Sequence, residues 1–138
     1  IYFKSNTFQN DKEKYVDLKF DKTSNKFIIN GSSYKGNANI DCVIGNWWNH
    51  KILNATKQIS PLSGSIKKQI VNFVKEENIL INNKKYSAKH YNIKSDDPDL
   101  SEDKKFNFDV WYNPSNSIII KVTYSKMGDW EYKLRNFE

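Results

Sequence analysis

Hydrophobic and polar positions alternate with a period of two along most of the chain, in segments bounded by Asn, Gly, Asp and Pro. That period places successive side chains on opposite faces of an extended backbone, so it predicts β-strands with one buried and one solvated face. Val16, Leu18 and Phe20 share one face of an early strand, against Tyr15, Asp17 and Lys19. Residues 27–29 form a short apolar strand that is expected to turn at Asn30-Gly31, a dipeptide that accepts positive φ angles, with Tyr34 on the return. Residues 66–75 and 79–81 read as strands on either side of Glu76-Glu77-Asn78; Asn82-Asn83-Lys84 reads as a turn, and residues 86–93 as the next strand.

The last third has the clearest pattern. Phe106, Phe108, Val110 and Tyr112 alternate with Asn107, Asp109 and Trp111, and Asn113-Pro114-Ser115-Asn116 then marks a turn. Ile118, Ile120, Val122 and Tyr124 alternate with Ile119, Lys121 and Thr123, and Trp130, Tyr132 and Leu134 follow a second turn at residues 126–129. Three consecutive antiparallel strands are expected over residues 106–134, with Phe108, Val110, Ile120, Val122, Tyr132 and Leu134 buried.

Between residues 37 and 65 the alternation is lost, and Trp47-Trp48-Asn49-His50 lies in the middle of that stretch. An irregular or short helical segment that docks at least one Trp against an end of the sheet is expected there. The polar run over residues 95–105, with four Asp, one Glu and one Pro, reads as an exposed loop. The pattern therefore predicts an all-β fold: a single antiparallel, strongly curved sheet or partly open β-barrel of meander type, with little helix, formed by one domain over residues 1–138.

Composition narrows the functional classes. No run of 18 or more apolar residues occurs, so no transmembrane helix is expected. The net charge of +6 comes from 21 Lys and one Arg, Arg135, spread among 18 Asn. Lys acts as a point charge where Arg reads phosphate and guanine bidentately, and the longest basic runs are pairs such as Lys67-Lys68, so specific nucleic-acid binding is not expected. The single Cys42 excludes an internal disulfide and reads as a buried thiol, the alternative being a nucleophile served by His50 or His90.

Two His forty residues apart and one Cys give no metal-ligand spacing, and the five Gly are scattered, so neither a metal site nor a phosphate loop is expected and no cofactor is implied. Asp109, Glu131 and His50 are the residues that could serve as acid or base, though charged strand residues are ordinarily solvated or ion-paired. Aromatic residues make up 14% of the chain. They either fill the inner face of a curved sheet or line a pocket. Trp47, Trp48, Asn49, Tyr91, Trp111, Tyr112 and Trp130 are the candidates for ligand contact, those in the irregular segment foremost, because sites are commonly mounted on loops.

Four elements in order, Cys42-Val43 with Trp47-Trp48-Asn49, Ala88-Lys89-His90-Tyr91, Val110-Trp111-Tyr112 and Glu131-Tyr132-Lys133-Leu134, resemble a family of bacterial domains of unknown function that carry an export signal. The resemblance runs from about Ser5 to Leu134. It implies a β fold and a periplasmic or secreted location, and it supplies no catalytic residues; His90 stands at a variable position of the pattern. Longer members of that family carry additional strands before the point corresponding to Ile1, so an unpaired sheet edge, and through it a homo-oligomer or a complex with a second polypeptide, is expected. Three functions remain open: a domain binding an apolar or amphipathic small molecule or a protein through a concave aromatic-lined sheet, an enzyme with an acid/base site in the same cavity, and an assembly subunit that pairs through a strand edge.

Overall fold

The protein is described by a computed structural model covering residues 2–9, 11–46, 48–124, 130–133 and 135. Its strands are β1 (Tyr2–Gln9), β2 (Lys12–Asp21), β3 (Lys26–Gly31), β4 (Lys35–Asn39), β5 (Cys42–Ile44), β6 (Lys57–Ile59), β7 (Ile66–Ile81), β8 (Lys84–Ser95), β9 (Asn107–Asn113), β10 (Ile118–Tyr124) and β11 (Trp130–Lys133). Among the described residues the helical content is two 3-10 turns, His50–Asn54 and Glu102–Lys104. The all-β expectation therefore holds. No helix among the described residues is long and apolar enough to cross a membrane.

The chain divides into two compact units. The first comprises Ile1–Asn46 and Ala55–Lys68. In it β1 to β4 form an antiparallel sheet in chain order. β5 and β6 pair in parallel, and β6 pairs antiparallel with the first three residues of β7. The segment without alternation thus contains two short strands: three-residue strands are too short to show a period. The core of this unit is Val16, Leu18, Phe27, Ile29, Ala38, Cys42 and Ile59, with Phe3, Phe20, Tyr34, Ile44 and Ile66 packed against it. Val16 and Leu18 come from the predicted face of β2, and each such side chain stabilises the fold by about 1.5–3 kcal/mol on burial.

Turn chemistry sets the register in this unit. Asp21 ends β2 by accepting hydrogen bonds from the backbone N–H groups of Thr23 and Ser24 and from the Ser24 hydroxyl. The Ser24 hydroxyl is the main cause that holds the Asp21 carboxyl below its ordinary range. Asn25 closes the turn at φ 56°. Asn30-Gly31, expected to be a turn, instead ends β3, and the chain reverses over residues 32–34 with Gly31 N–H donating to the Tyr34 carbonyl. Gly31 is required by proximity: a Cβ there would lie 2.2 Å from the Ser63 carbonyl oxygen.

Cys42 is buried, and burial is the first cause that pushes its thiol above the ordinary range, with the neighbouring Asp41 adding to it. Native Cys42 is accordingly expected to react with a disulfide reagent at pH 8 at least about 10-fold more slowly than the urea-unfolded chain, since only thiolate attacks. Because the folded thiol's pKa is raised, its stabilising effect is complete below about pH 8.5 and is lost as pH rises through the folded value. Equal rates in the two states would show that the thiol is accessible and ionised.

The second unit comprises Trp47–Asn54 and Gln69–Glu138. Within it β7, β8, β9, β10 and β11 form an antiparallel meander in chain order. β7 is one continuous strand, so Glu76-Glu77-Asn78 is part of it and not a break. Twelve pairings with β8 outweigh the weak strand preference of those three residues. Asn82 and Asn83, at φ 49° and 65°, form the two-residue turn between β7 and β8, and two central residues of positive φ are what a type I′ hairpin needs.

The three predicted C-terminal strands are present as β9, β10 and β11. Phe108, Val110, Ile120 and Val122 are buried as expected. Tyr132 is not: it is 41% exposed, because β11 pairs with β10 over only four residues and no described strand lies beyond it. Leu134 lies outside the described residues. Ile119 is buried together with Ile120, because a bulge shifts the β9–β10 register between Ile119 and Lys121 and interrupts the alternation. A second bulge falls between Phe73 and Lys75.

Candidate functional site

The register of β7 to β11 assembles a polar row across one face of the second unit. Asn92 lies opposite Asp109, and Asp109 opposite Thr123; two residues along, Lys75, His90, Trp111, Lys121 and Lys133 are successive partners. His90 Nε2 is 2.8 Å from Asp109 Oδ1. The Asn92 side-chain amide donates to Asn107 Oδ1 at 2.7 Å and to Asp109 Oδ1 at 3.4 Å. The His90 ring stacks on Trp111 with centroids 4.2 Å apart, and the Lys121 ammonium sits 4.4 Å from the Trp111 ring centre. Trp111 Nε1 donates to Glu77 Oε1 at 2.7 Å, and Lys75 pairs with the same carboxylate at 3.0 Å. The Lys75 hydrogen bond first, and the Trp111 N–H second, hold the Glu77 carboxyl below its ordinary range.

A cleft of about 490 Å³ opens along this face where β8 and β9 approach the connecting loop. Its strand side is Asn92, Lys94, Asn107 and Asp109, and its loop side is Ser95, Glu102, Lys105 and Phe106. The loop base is fixed by reciprocal bonds: Ser95 N–H donates to the Phe106 carbonyl and Phe106 N–H to Ser95 Oγ, each at 2.9 Å. Lys105 donates to Glu102 Oε1 at 2.6 Å. The loop read as exposed and acidic is thus a wall of the cleft, held in place by its two ends.

The dyad of His90 and Asp109 is not arranged as a catalytic base. Nε2, assigned as the donor from its contact with the carboxylate, is engaged by Asp109, and Nδ1 is buried with no hydrogen-bond partner among the described residues. Neither ring nitrogen is presented to the cleft for proton transfer, so His90 orients Asp109. Among the described residues no group of three or more His, Cys, Asp or Glu could hold a metal ion.

The sequence-derived candidates disperse in the structure. Asp109 reaches the cleft; Glu131 has a 56% exposed side chain and lies 3.4 Å from Lys121. His50 stacks on Tyr112 at 5.9 Å, and Tyr91 makes an edge contact with Phe73 at 5.5 Å. Trp111, assigned by alternation to the polar face, is 6% exposed because Ile79, Ile81, Ala88 and Ile120 close around it. Trp48 lies in the irregular segment as expected but is 41% exposed, Asn49 caps the adjoining 3-10 turn by accepting from Lys51 N–H, Trp47 lies outside the described residues, and of Trp130 the backbone pairing with Tyr124 is described. None of the described aromatic candidates lines the cleft. Sequence reading missed Asn92, Asn107 and Phe106; the signal available was that polar residues on two adjacent strands flank a loop whose ends must meet.

Residues 1–135 match the family described as Domain of unknown function (DUF6134). The chain belongs to this family. No curated protein and no solved structure matches the chain.

Proposed function

We propose that this family member is an envelope-facing or secreted binding domain that holds a small amphipathic molecule in the cleft between β8, β9 and their connecting loop. The observation that carries this reading is the convergence of Asn92, Ser95, Asn107 and Asp109 with the ring of Phe106 on one cleft. A few placed polar groups beside an apolar wall fix a ligand's orientation and reward its apolar part together. The location rests on the resemblance to exported proteins, and cell fractionation tests it separately. A catalytic reading has less support, since His90 offers no free nitrogen to a bound molecule.

Native mass spectrometry of the chain recovered from its natural compartment is expected to show a retained small molecule, and Asn92→Ala and Phe106→Ala are each expected to weaken its retention about 10-fold, in line with losing one hydrogen-bonding or apolar contact of about 1.4 kcal/mol. A molecule retained equally by both variants would place binding elsewhere. Protein recovered empty and not stabilised by a small-molecule extract of the same compartment would refute the reading.

A further inference from the structure

The charges in the cleft separate into a pair that meet each other and two groups, Asp109 and Lys94, that do not. Lys105 and Glu102 neutralise each other across 2.6 Å. Asp109 has only its Oδ1 engaged, by His90 at 2.8 Å and by the Asn92 amide at 3.4 Å; among the described residues its Oδ2 has no hydrogen-bond partner, and its side chain is 32% exposed. Lys94, on the same face of β8 as Asn92, has neither an ion pair nor a hydrogen bond among the described residues. Lys94 lies opposite Asn107, two residues from Asp109 on β9, so Lys94 and Asp109 are diagonal neighbours with Cα atoms about 7–8 Å apart.

One open carboxylate oxygen and one open ammonium, on diagonal neighbours of a single cleft wall, are complementary to a molecule that carries both signs. A singly charged ligand would meet only one of the two groups and forgo the second charge-assisted contact, which disfavours it relative to a zwitterion. Building on the binding function proposed above, we infer that the cleft selects a small zwitterion with an apolar substituent. The ligand's ammonium meets Asp109 Oδ2, its anion meets Lys94, and its apolar part lies on Phe106. The anion can be the carboxylate of an amino acid or peptide end, or the phosphate of an ethanolamine headgroup, since Lys reads either as a point charge.

The test follows the backbone amide signals of Asn92, Ser95 and Asn107 by NMR, in the wild type, Asp109→Asn and Lys94→Gln. The probes are phenylalanine, glycine (no apolar substituent), phenethylamine (no anion), N-acetylphenylalanine (no cation), O-phosphoethanolamine (phosphate anion, no apolar substituent) and methyl glucoside (neutral). Phenylalanine is expected to bind the wild type at least about 10-fold more tightly than either singly charged analogue, and glycine against O-phosphoethanolamine, both without an apolar substituent, reports which anion is preferred. Asp109→Asn should weaken the zwitterionic probes and phenethylamine but not N-acetylphenylalanine, and Lys94→Gln should weaken the zwitterionic probes and N-acetylphenylalanine but not phenethylamine. Tighter binding of a singly charged or neutral probe at these amides would overturn the zwitterion inference and leave the cleft as the binding site. Uniform weakening of all probes by both variants would also overturn it. No shift with any probe at millimolar concentration would overturn both.

Discussion

Replacing Trp111 with Ala is expected to cost about 3–5 kcal/mol of stability, the range for emptying a buried aromatic site. Three contacts go with the indole beyond its packing against Ile79, Ile81, Ala88 and Ile120: the stack on His90 at 4.2 Å, the Lys121 ammonium at 4.4 Å and the Nε1 hydrogen bond to Glu77 at 2.7 Å. Trp111→Phe keeps most of the apolar volume and the stack but not the donor, so a loss of about 1–2 kcal/mol is expected, as for a hydrogen bond to a charged group plus a modest change in volume. Glu77→Gln separates the charge from the packing. Because the folded carboxyl is held below its ordinary range, its stabilising effect is present above about pH 4.3 and is lost as pH falls through the folded value. The difference between wild type and Glu77→Gln should therefore be present at pH 7 and shrink below pH 4. Urea unfolding followed by circular dichroism, with amide exchange at Ala88 and Ile120 reporting on the second unit, checks the series. A loss below about 1 kcal/mol for Trp111→Ala would show that the indole is not part of the core.

The second large effect is expected at Gly31. A Cβ there would fall 2.2 Å from the Ser63 carbonyl oxygen and 2.8 Å from the Ser63 carbonyl carbon, atoms of backbone that cannot swing aside as a side chain does. Ser63 is further held by its carbonyl, which accepts from Ser33 N–H at 3.0 Å, and the adjoining Gly64 has φ +77° and places its own missing Cβ 2.8 Å from Ile29. Gly31→Ala is therefore expected to cost about 3 kcal/mol, the upper range for overpacking, even though alanine ordinarily stabilises an extended segment relative to glycine. Gly45→Ala is the control. The nearest obstacle to its Cβ is the flexible Gln58 side chain at 2.7 Å, with the next atom at 3.5 Å, so a loss below about 1 kcal/mol is expected. Equal melting temperatures for Gly31→Ala and wild type would mean that the two segments are not in the close approach described.

Both effects lie where periodicity was a poor guide. Asn30-Gly31 has the composition of a hairpin turn, yet Gly31 is set by a segment thirty residues away that no local pattern registers. Trp111 alternates with the apolar side of β9, which placed it among polar neighbours. It is buried because residues from β7, β8 and β10 rise around it on that face, which is therefore polar at Asp109 and apolar at Trp111.

The sequence by itself determined the all-β class, the position of the C-terminal strands, the Asn82-Asn83 turn and the exposed loop before β9. Each follows from a local cause: side chains alternate at period two, Asn tolerates positive φ, and a run of Asp cannot bury surface. Tertiary structure decided which strands pair, that β5 and β6 run parallel, where two bulges shift the register, and that Asn92, Lys94, Asn107, Asp109 and Phe106 meet in one cleft. Those facts depend on register, and a one-residue slip in register turns every side chain of a strand to the other face. Asp109 could be named as a titratable strand residue from its position in the chain. Its partner His90, nineteen residues away, becomes its neighbour only when β8 and β9 pair in the register that sets Asn92 opposite Asp109 and His90 opposite Trp111.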